Sequence, residues 1–201
     1  MTMWTWAQSI CVTKGSIGSG GIVDVPTFRG VALGTSGAAA RLDFIYQGHS
    51  RGDRALASGQ IRRQIGLKLK AADGCNLIYV MWRLERRPML EVSVKINPGA
   101  RTHSECGARG YTKIKPRSYD GVPDLAVGQR YSMSAQITGD ELVAWVGDRV
   151  AWRGTLPQTA RSMTGPSGLR SDNVSFSLVA FGAPAGTAAS EVPKCVVDGE
   201  D

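Results

Sequence analysis

The chain has 201 residues, 42% of them hydrophobic, with 25 glycines. That length suits one sandwich-sized domain with its own core, so a dependence on metal or dense cross-linking for stability is not expected. The formal charge of +7 and pI near 9.5 favour anionic partners such as acidic polysaccharide. No run of five like charges forms a basic tail, and no apolar stretch is long enough for a membrane span.

Helical periodicity is scarce, and the alternation of apolar and polar residues predicts an all-β protein. Trp4 to Val12 reads as a first edge strand with Trp4 and Trp6 on one face. Ile22 to Leu33 contains Pro26, which predicts irregular or edge structure. Leu42, Phe44 and Tyr46 alternate with Asp43, Ile45 and Gln47, giving a strand with a buried face. Gly48 to Gly59 is a polar loop holding Arg51-Gly52-Asp53, a tripeptide read here as a turn. The strongest pattern spans Ile61 to Asn97 and predicts a three-stranded antiparallel meander. Its polar face carries Lys68, Lys70, Glu91, Lys95 and Asn97; the middle strand, Leu77 to Glu85, is apolar on both faces, so the outward face is undecided there. Pro98 to Asp124 reads as a long functional loop. Tyr131 to Thr138 is a strand, and Glu141 to Arg153 a hairpin turning at Val146-Gly147-Asp148. Pro157 to Gly165 has room for one helical turn, and Val174 to Ala180 is the last strand. These elements predict a two-sheet antiparallel β-sandwich forming a single domain over 1–201, with 183–201 a tail.

Four cysteines allow three full pairings. Cys75 opens the second meander strand, and Cys106 follows the third, whose end antiparallel pairing returns beside the same turn. Cys11 and Cys195 lie near the chain ends, which often meet in domains. The expected bridges are therefore Cys75–Cys106 and Cys11–Cys195, the second tying back the tail. Two bridges imply an oxidising, secreted setting, although no signal peptide is visible; the alternative is four reduced thiols. Without a C-x-x-C motif, and with only His49 and His103, a zinc site is not expected.

Three pieces in order then carry a resemblance: the strand Tyr131 to Thr138, the hairpin Leu142 to Trp152, and Gly165-Pro-Ser-Gly-Leu-Arg-Ser-Asp-Asn173 as a turn leading into the last strand. Together they resemble the concanavalin A-like lectin/glucanase superfamily, including laminin-G-like jelly rolls. The resemblance implies a glycan site on the concave sheet or its rim loops, and in some members a structural calcium ion, for which Asp172 and Asn173 offer oxygen ligands. Function by such analogy is an expectation only.

On this reading the chain is a secreted carbohydrate-binding module, with Lys68, Lys70, Tyr79, Arg83, Lys95, Asn97 and Arg109 contacting an acidic glycan. The alternative is a polysaccharide lyase or glycoside hydrolase at the same face, with His103, Tyr111 and Arg83 as catalytic candidates. A lyase needs a cation to neutralise a uronate, and a Tyr or His to move the proton. The jelly-roll alginate lyase strand motifs are missing, however. A glycosidase needs paired carboxylates, and only Glu85 and Glu91 approach that description. The third reading is a protein-binding adhesion or structural module. Nucleic acid is not favoured: it would want basic residues interleaved with exposed aromatics on one face, and Tyr79 near Lys68 and Lys70 is only a hint of that.

Overall fold

The computed structural model describes residues 10–186 and 195 and the backbone of 5–6. In chain order its strands are β1 (Thr5–Trp6), β2 (Ile10–Lys14), β3 (Ile22–Val23), β4 (Thr27–Ala32), β5 (Ala39–Gly48), β6 (Gln64–Leu69), β7 (Leu77–Arg83) and β8 (Met89–Lys95). They continue as β9 (Tyr111–Lys113), β10 (Ser118–Tyr119), β11 (Arg130–Thr138), β12 (Glu141–Val146), β13 (Arg149–Thr155), β14 (Ser167–Asp172) and β15 (Ser175–Ala183). Two single helical turns interrupt them, α1 (His103–Cys106) and α2 (Gln158–Arg161). All pairing is antiparallel. The first sheet runs β1-β15-β5-β11-β12-β13-β10, with β3 also on β15; the second runs β2-β4-β14-β6-β7-β8-β9.

The core lies between the sheets. From the first come Leu42, Phe44, Met133, Ala144, Trp152 and Phe176; from the second come Phe28, Ile65, Leu67, Ile78, Val80, Trp82, Val92 and Leu169. Each set occupies alternate positions along its strands, as the period of two requires. Phe44 sits edge-on to both Trp82 and Phe176, so aromatic contacts link the two layers. The expected all-β sandwich is therefore present, with the meander as β6-β7-β8.

Several local expectations differ from the structure, each for a physical reason. Within the segment expected as one edge strand, β1 joins the edge of the first sheet and β2 that of the second; the Trp4 and Trp6 side chains lie outside the described residues. Pro26 ends no sheet: it falls between β3 and β4, and β4 is an interior strand of the second sheet. Gly165 to Asn173, expected as a turn, contains β14, which pairs with both β4 and β6. The long loop after the meander contributes β9 to the second sheet and β10 to the first. Both expected bridges are present, Cys11–Cys195 and Cys75–Cys106. The remainder of the tail, 187–194 and 196–201, lies outside the described residues. Among the described residues no helix is long and apolar enough to cross a membrane.

Candidate functional site

The outer face of the second sheet carries the candidate site. In β7, Ile78, Val80 and Trp82 point into the core, so Leu77, Tyr79 and Met81 point outward. That outward row is buried together with Cys11, Val31 and Ala71. An apolar row on the outside of a sandwich needs a cover, and two loops provide it.

One cover is the segment 54–60. Asn173, held at a φ of 54°, accepts a hydrogen bond from the Arg54 amide (2.8 Å) and donates to the carbonyls of Arg54 (3.0 Å) and Arg62 (2.9 Å). Asparagine tolerates this left-handed backbone better than most residues. The other cover is the rim 101–108. Thr102 and Glu105 form a capping box on α1, and the disulfide fastens Cys106 to Cys75 at the start of β7. Backbone donors and the Thr102 hydroxyl hold the Glu105 carboxyl down at about 2.

Between these covers runs a groove of two adjoining cavities, about 480 and 400 Å³. Lys14, Arg29, Tyr79, His103, Tyr111 and Arg170 line both. At its floor Asp172 accepts from Arg29 Nη2 (2.6 Å), Arg170 Nε (2.8 Å) and Gln64 Nε2 (2.7 Å). Burial alone would raise the Asp172 carboxyl, but Arg29 and Arg170 outweigh it and hold it down at about 2. The Arg170 guanidinium lies over the Tyr79 ring at 4.6 Å, and Tyr111 stacks on Tyr79 with centroids 6.1 Å apart. Gly66 separates Arg170 from Met81 in the sheet register. A Cβ there would meet the Val80 carbonyl oxygen at 2.1 Å and Met81 Sδ at 3.0 Å, so the close approach requires glycine.

Lys68 completes the floor. It is buried, lines the second cavity, and has no hydrogen-bond or ion-pair partner among the described residues. Burial, then repulsion from Arg29 and Arg170, pushes its ammonium down to about 7 against the pull of Asp172. Arg170 Nη2 likewise makes no hydrogen bond among the described residues. Around Asp172 the floor therefore gathers Arg29, Arg170 and a Lys68 only partly protonated at neutral pH, and leaves donors unused. Glu91 and Asp73 also line the groove, Glu91 paired with Arg83 and Lys113 and Asp73 accepting from the Cys75 and Asn76 amides. Lys14 and Arg54 add further positive charge to the walls.

The residues singled out from sequence divide into two groups. Lys68, Tyr79, His103 and Tyr111 line the groove. Tyr79 faces outward, but Arg170 and Tyr111 occupy its ring faces, so it offers no open platform for a sugar ring. The other group serves elsewhere. Lys70 adopts a φ of 46° and donates to the Arg161 carbonyl near α2. Lys95 is fully buried, its Nζ donating to the carbonyls of Gly107 (2.9 Å) and Gly74 (3.3 Å) beneath the Tyr111 ring. Asn97 Nδ2 donates to the carbonyls of Arg109 and Cys75. Arg109 caps the α1 turn through the carbonyls of Cys106 and Glu105. Arg83 pairs with Glu85 and Glu91, both at 2.9 Å. Lys95, Asn97 and Arg109 thus brace the rim from within.

Arg29 and Arg170 did not emerge as site residues from sequence, and Asp172 did so only as a calcium ligand implied by the resemblance. The available signal was weak: opposite charges at Arg170 and Asp172, two apart, share one strand face. Asp172 and Asn173, offered as calcium ligands, direct their side chains to the arginines and to the roof segment. Among the described residues, no three His, Cys, Asp or Glu side chains group as a metal site. Both charged ends of Arg51-Gly52-Asp53 are paired, Arg51 with Asp24 (2.8 Å) and Asp53 with Arg63 (2.7 Å).

No family model and no curated protein matches this sequence. Solved structures do match. The carbohydrate-binding module CBM66 from Bacillus subtilis superposes with a TM-score of 0.50 at 14% identity, covering 92% of this chain and 94% of that one. The fold is a concanavalin A-like jelly roll. More distant likenesses are the GH43 protein BlXynB from Bacillus licheniformis (TM-score 0.45, 12% identity, 80% of this chain and 29% of that one) and chicken galectin 2 (0.41, 10%, 75% and 93%). At these identities the likeness is one of fold, and the groove of this jelly roll has to be read from its own residues.

Proposed function

We propose that this chain is a secreted carbohydrate-binding module that holds an acidic polysaccharide along the groove of the second sheet. The observation that carries the reading is the uncompensated charge of the floor, where Lys68 and Arg170 present free donors between two covering loops. Guanidinium and ammonium groups in a partly desolvated cleft recognise carboxylate or sulfate esters strongly. Two adjoining cavities suit a polymer longer than one sugar, and Gln60, Gln64 and Ser93 in the first supply partners for hydroxyl groups. The superposed Bacillus subtilis module is named for carbohydrate binding, and the paired disulfides suit an extracellular setting.

The test is retention on immobilised polygalacturonate, alginate and heparin, with dextran as the neutral control. Lys14→Ala combined with Arg54→Ala removes two wall cations whose side chains make no hydrogen bond or ion pair among the described residues, and should weaken retention about tenfold and flatten its salt dependence. Equal retention on dextran, or no change in the double variant, overturns the reading.

One observation favours a second reading. Tyr111 Oη accepts from Arg170 Nη1 at 3.5 Å, and His103 lines the same space. A cation beside a phenol is the pairing that uronate elimination needs. New ultraviolet absorbance from an unsaturated product would make the groove a lyase site; retention without it leaves a binding module.

A further inference from the structure

We infer that Lys68 is a covalent acceptor site, whose amine forms an imine with an aldehyde or 2-oxo acid bearing its own carboxylate. This goes beyond glycan binding and does not require it. The argument begins with which groups surround the amine. Lys68 pairs in register with Gly168 on β14 and Tyr79 on β7, so one flank carries no side chain. The charged groups acting on it are Arg29 from β4 and Arg170 and Asp172 from β14. Asp172 is fully engaged by Arg29, Arg170 and Gln64. Asp73, at the end of the same cavity, accepts from the Cys75 and Asn76 amides and the Asn76 side chain. Neither carboxylate is left to pair with Lys68, which sits in a cavity between guanidiniums.

Such an amine is a nucleophile. With its value near 7, a substantial fraction is neutral at neutral pH, whereas an ordinary lysine at about 10.4 is almost wholly protonated. Loss of basicity lowers intrinsic reactivity, but by less than the gain in free amine. The flanking cations select the partner: a carboxylate bound at the free Arg170 Nη2 brings a neighbouring carbonyl carbon to the amine. The nitrogen adds to that carbon, and the carbinolamine loses its hydroxyl with a nitrogen proton. The step releases one water and needs neither oxidant nor reductant.

The test uses the full oxidised chain at neutral pH with glyoxylate and cyanoborohydride, which reduces the imine to carboxymethyl-lysine. Peptide mapping by mass spectrometry reads every lysine, and a parallel arm uses acetaldehyde. Lys68 should be modified at least about tenfold faster than exposed Lys113 and Lys115. It should also favour glyoxylate over acetaldehyde at least about fivefold more than Lys115 does. Unfolding in urea should abolish both differences. Lys68→Arg, which keeps the cation, should remove the adduct at that position and leave the others unchanged. Modification of Lys68 no faster than Lys115 overturns the proposal, and so does equal use of the two aldehydes. Polysaccharide retention is a separate measurement, so failure of either reading leaves the other standing.

Discussion

The outer faces of the two sheets carry the same constellation in different surroundings. On the first, Asp43 in β5 accepts from Arg41 (3.1 Å) and from Arg130 of β11 (3.3 Å), and the arginine side chains are 36% and 60% exposed. On the second, Asp172 accepts from Arg29 and Arg170, whose side chains are 17% and 8% exposed. Each is one carboxylate between two guanidiniums on a strand face. Among the described residues only the second is roofed, by 54–60 and by the disulfide-fastened rim, and only there does a lysine without a hydrogen-bond partner join. Residue types alone do not make a site: water screens the first cluster, and its exclusion strengthens the second.

The largest expected effect comes from removing the central carboxylate in each place. Asp172→Asn leaves two buried guanidiniums without a counter-charge and should cost about 3–5 kcal/mol in denaturant unfolding. Asp43→Asn should cost only about 1 kcal/mol, because its arginines remain hydrated. Similar losses from the two would erase the distinction between the faces.

Unfastening the roof should come next. Cys75→Ala with Cys106→Ala opens a loop of 31 residues and should lower stability by about 3 kcal/mol. Amide exchange should quicken over 101–108 more than over β11 and β12. Uniform acceleration across both sheets would show that the rim is not separately held.

Lys68→Met should act in the opposite direction. The folded ammonium is pushed down to about 7 from the ordinary 10.5, so the unfolded chain binds more protons between those values. Stability of the parent therefore rises with pH across that window. Below it the lysine is charged in both states and the burial penalty is full, so Lys68→Met should stabilise by about 2 kcal/mol near pH 6. That gain should shrink as pH climbs from 7 toward 10.5, as chemical denaturation at several pH values would show. A gain independent of pH would mean that packing, not charge, set it. The smallest effect belongs to the open cluster, where Arg130→Ala should change stability by less than about 1 kcal/mol.

The meander was legible because apolar and polar residues alternate cleanly in β6 and β8; the Cys75–Cys106 bridge followed from where antiparallel pairing returns the chain, and the Cys11–Cys195 bridge from the closeness of chain ends. The place of Lys68 on the polar outer face was legible for the same reason. Lys95 and Asn97 share its pattern but not its use, since the rim folds down on them and takes their donors for backbone carbonyls. Arg29 and Arg170 were hidden because β4 follows a proline and β14 has few apolar side chains to beat time.

The sequence by itself therefore determined the layers: alternation with a period of two allows a strand only one dry face, and enough such strands must pack as two sheets. It also determined which cysteines meet. Only the tertiary structure decided which outer face is roofed into a groove. That choice depends on loops distant in sequence closing over one sheet, through Asn173 and the Cys75–Cys106 bridge. Local periodicity carries no record of what covers a face from elsewhere in the chain, and it is that cover which turns an ordinary charged strand surface into a cationic groove.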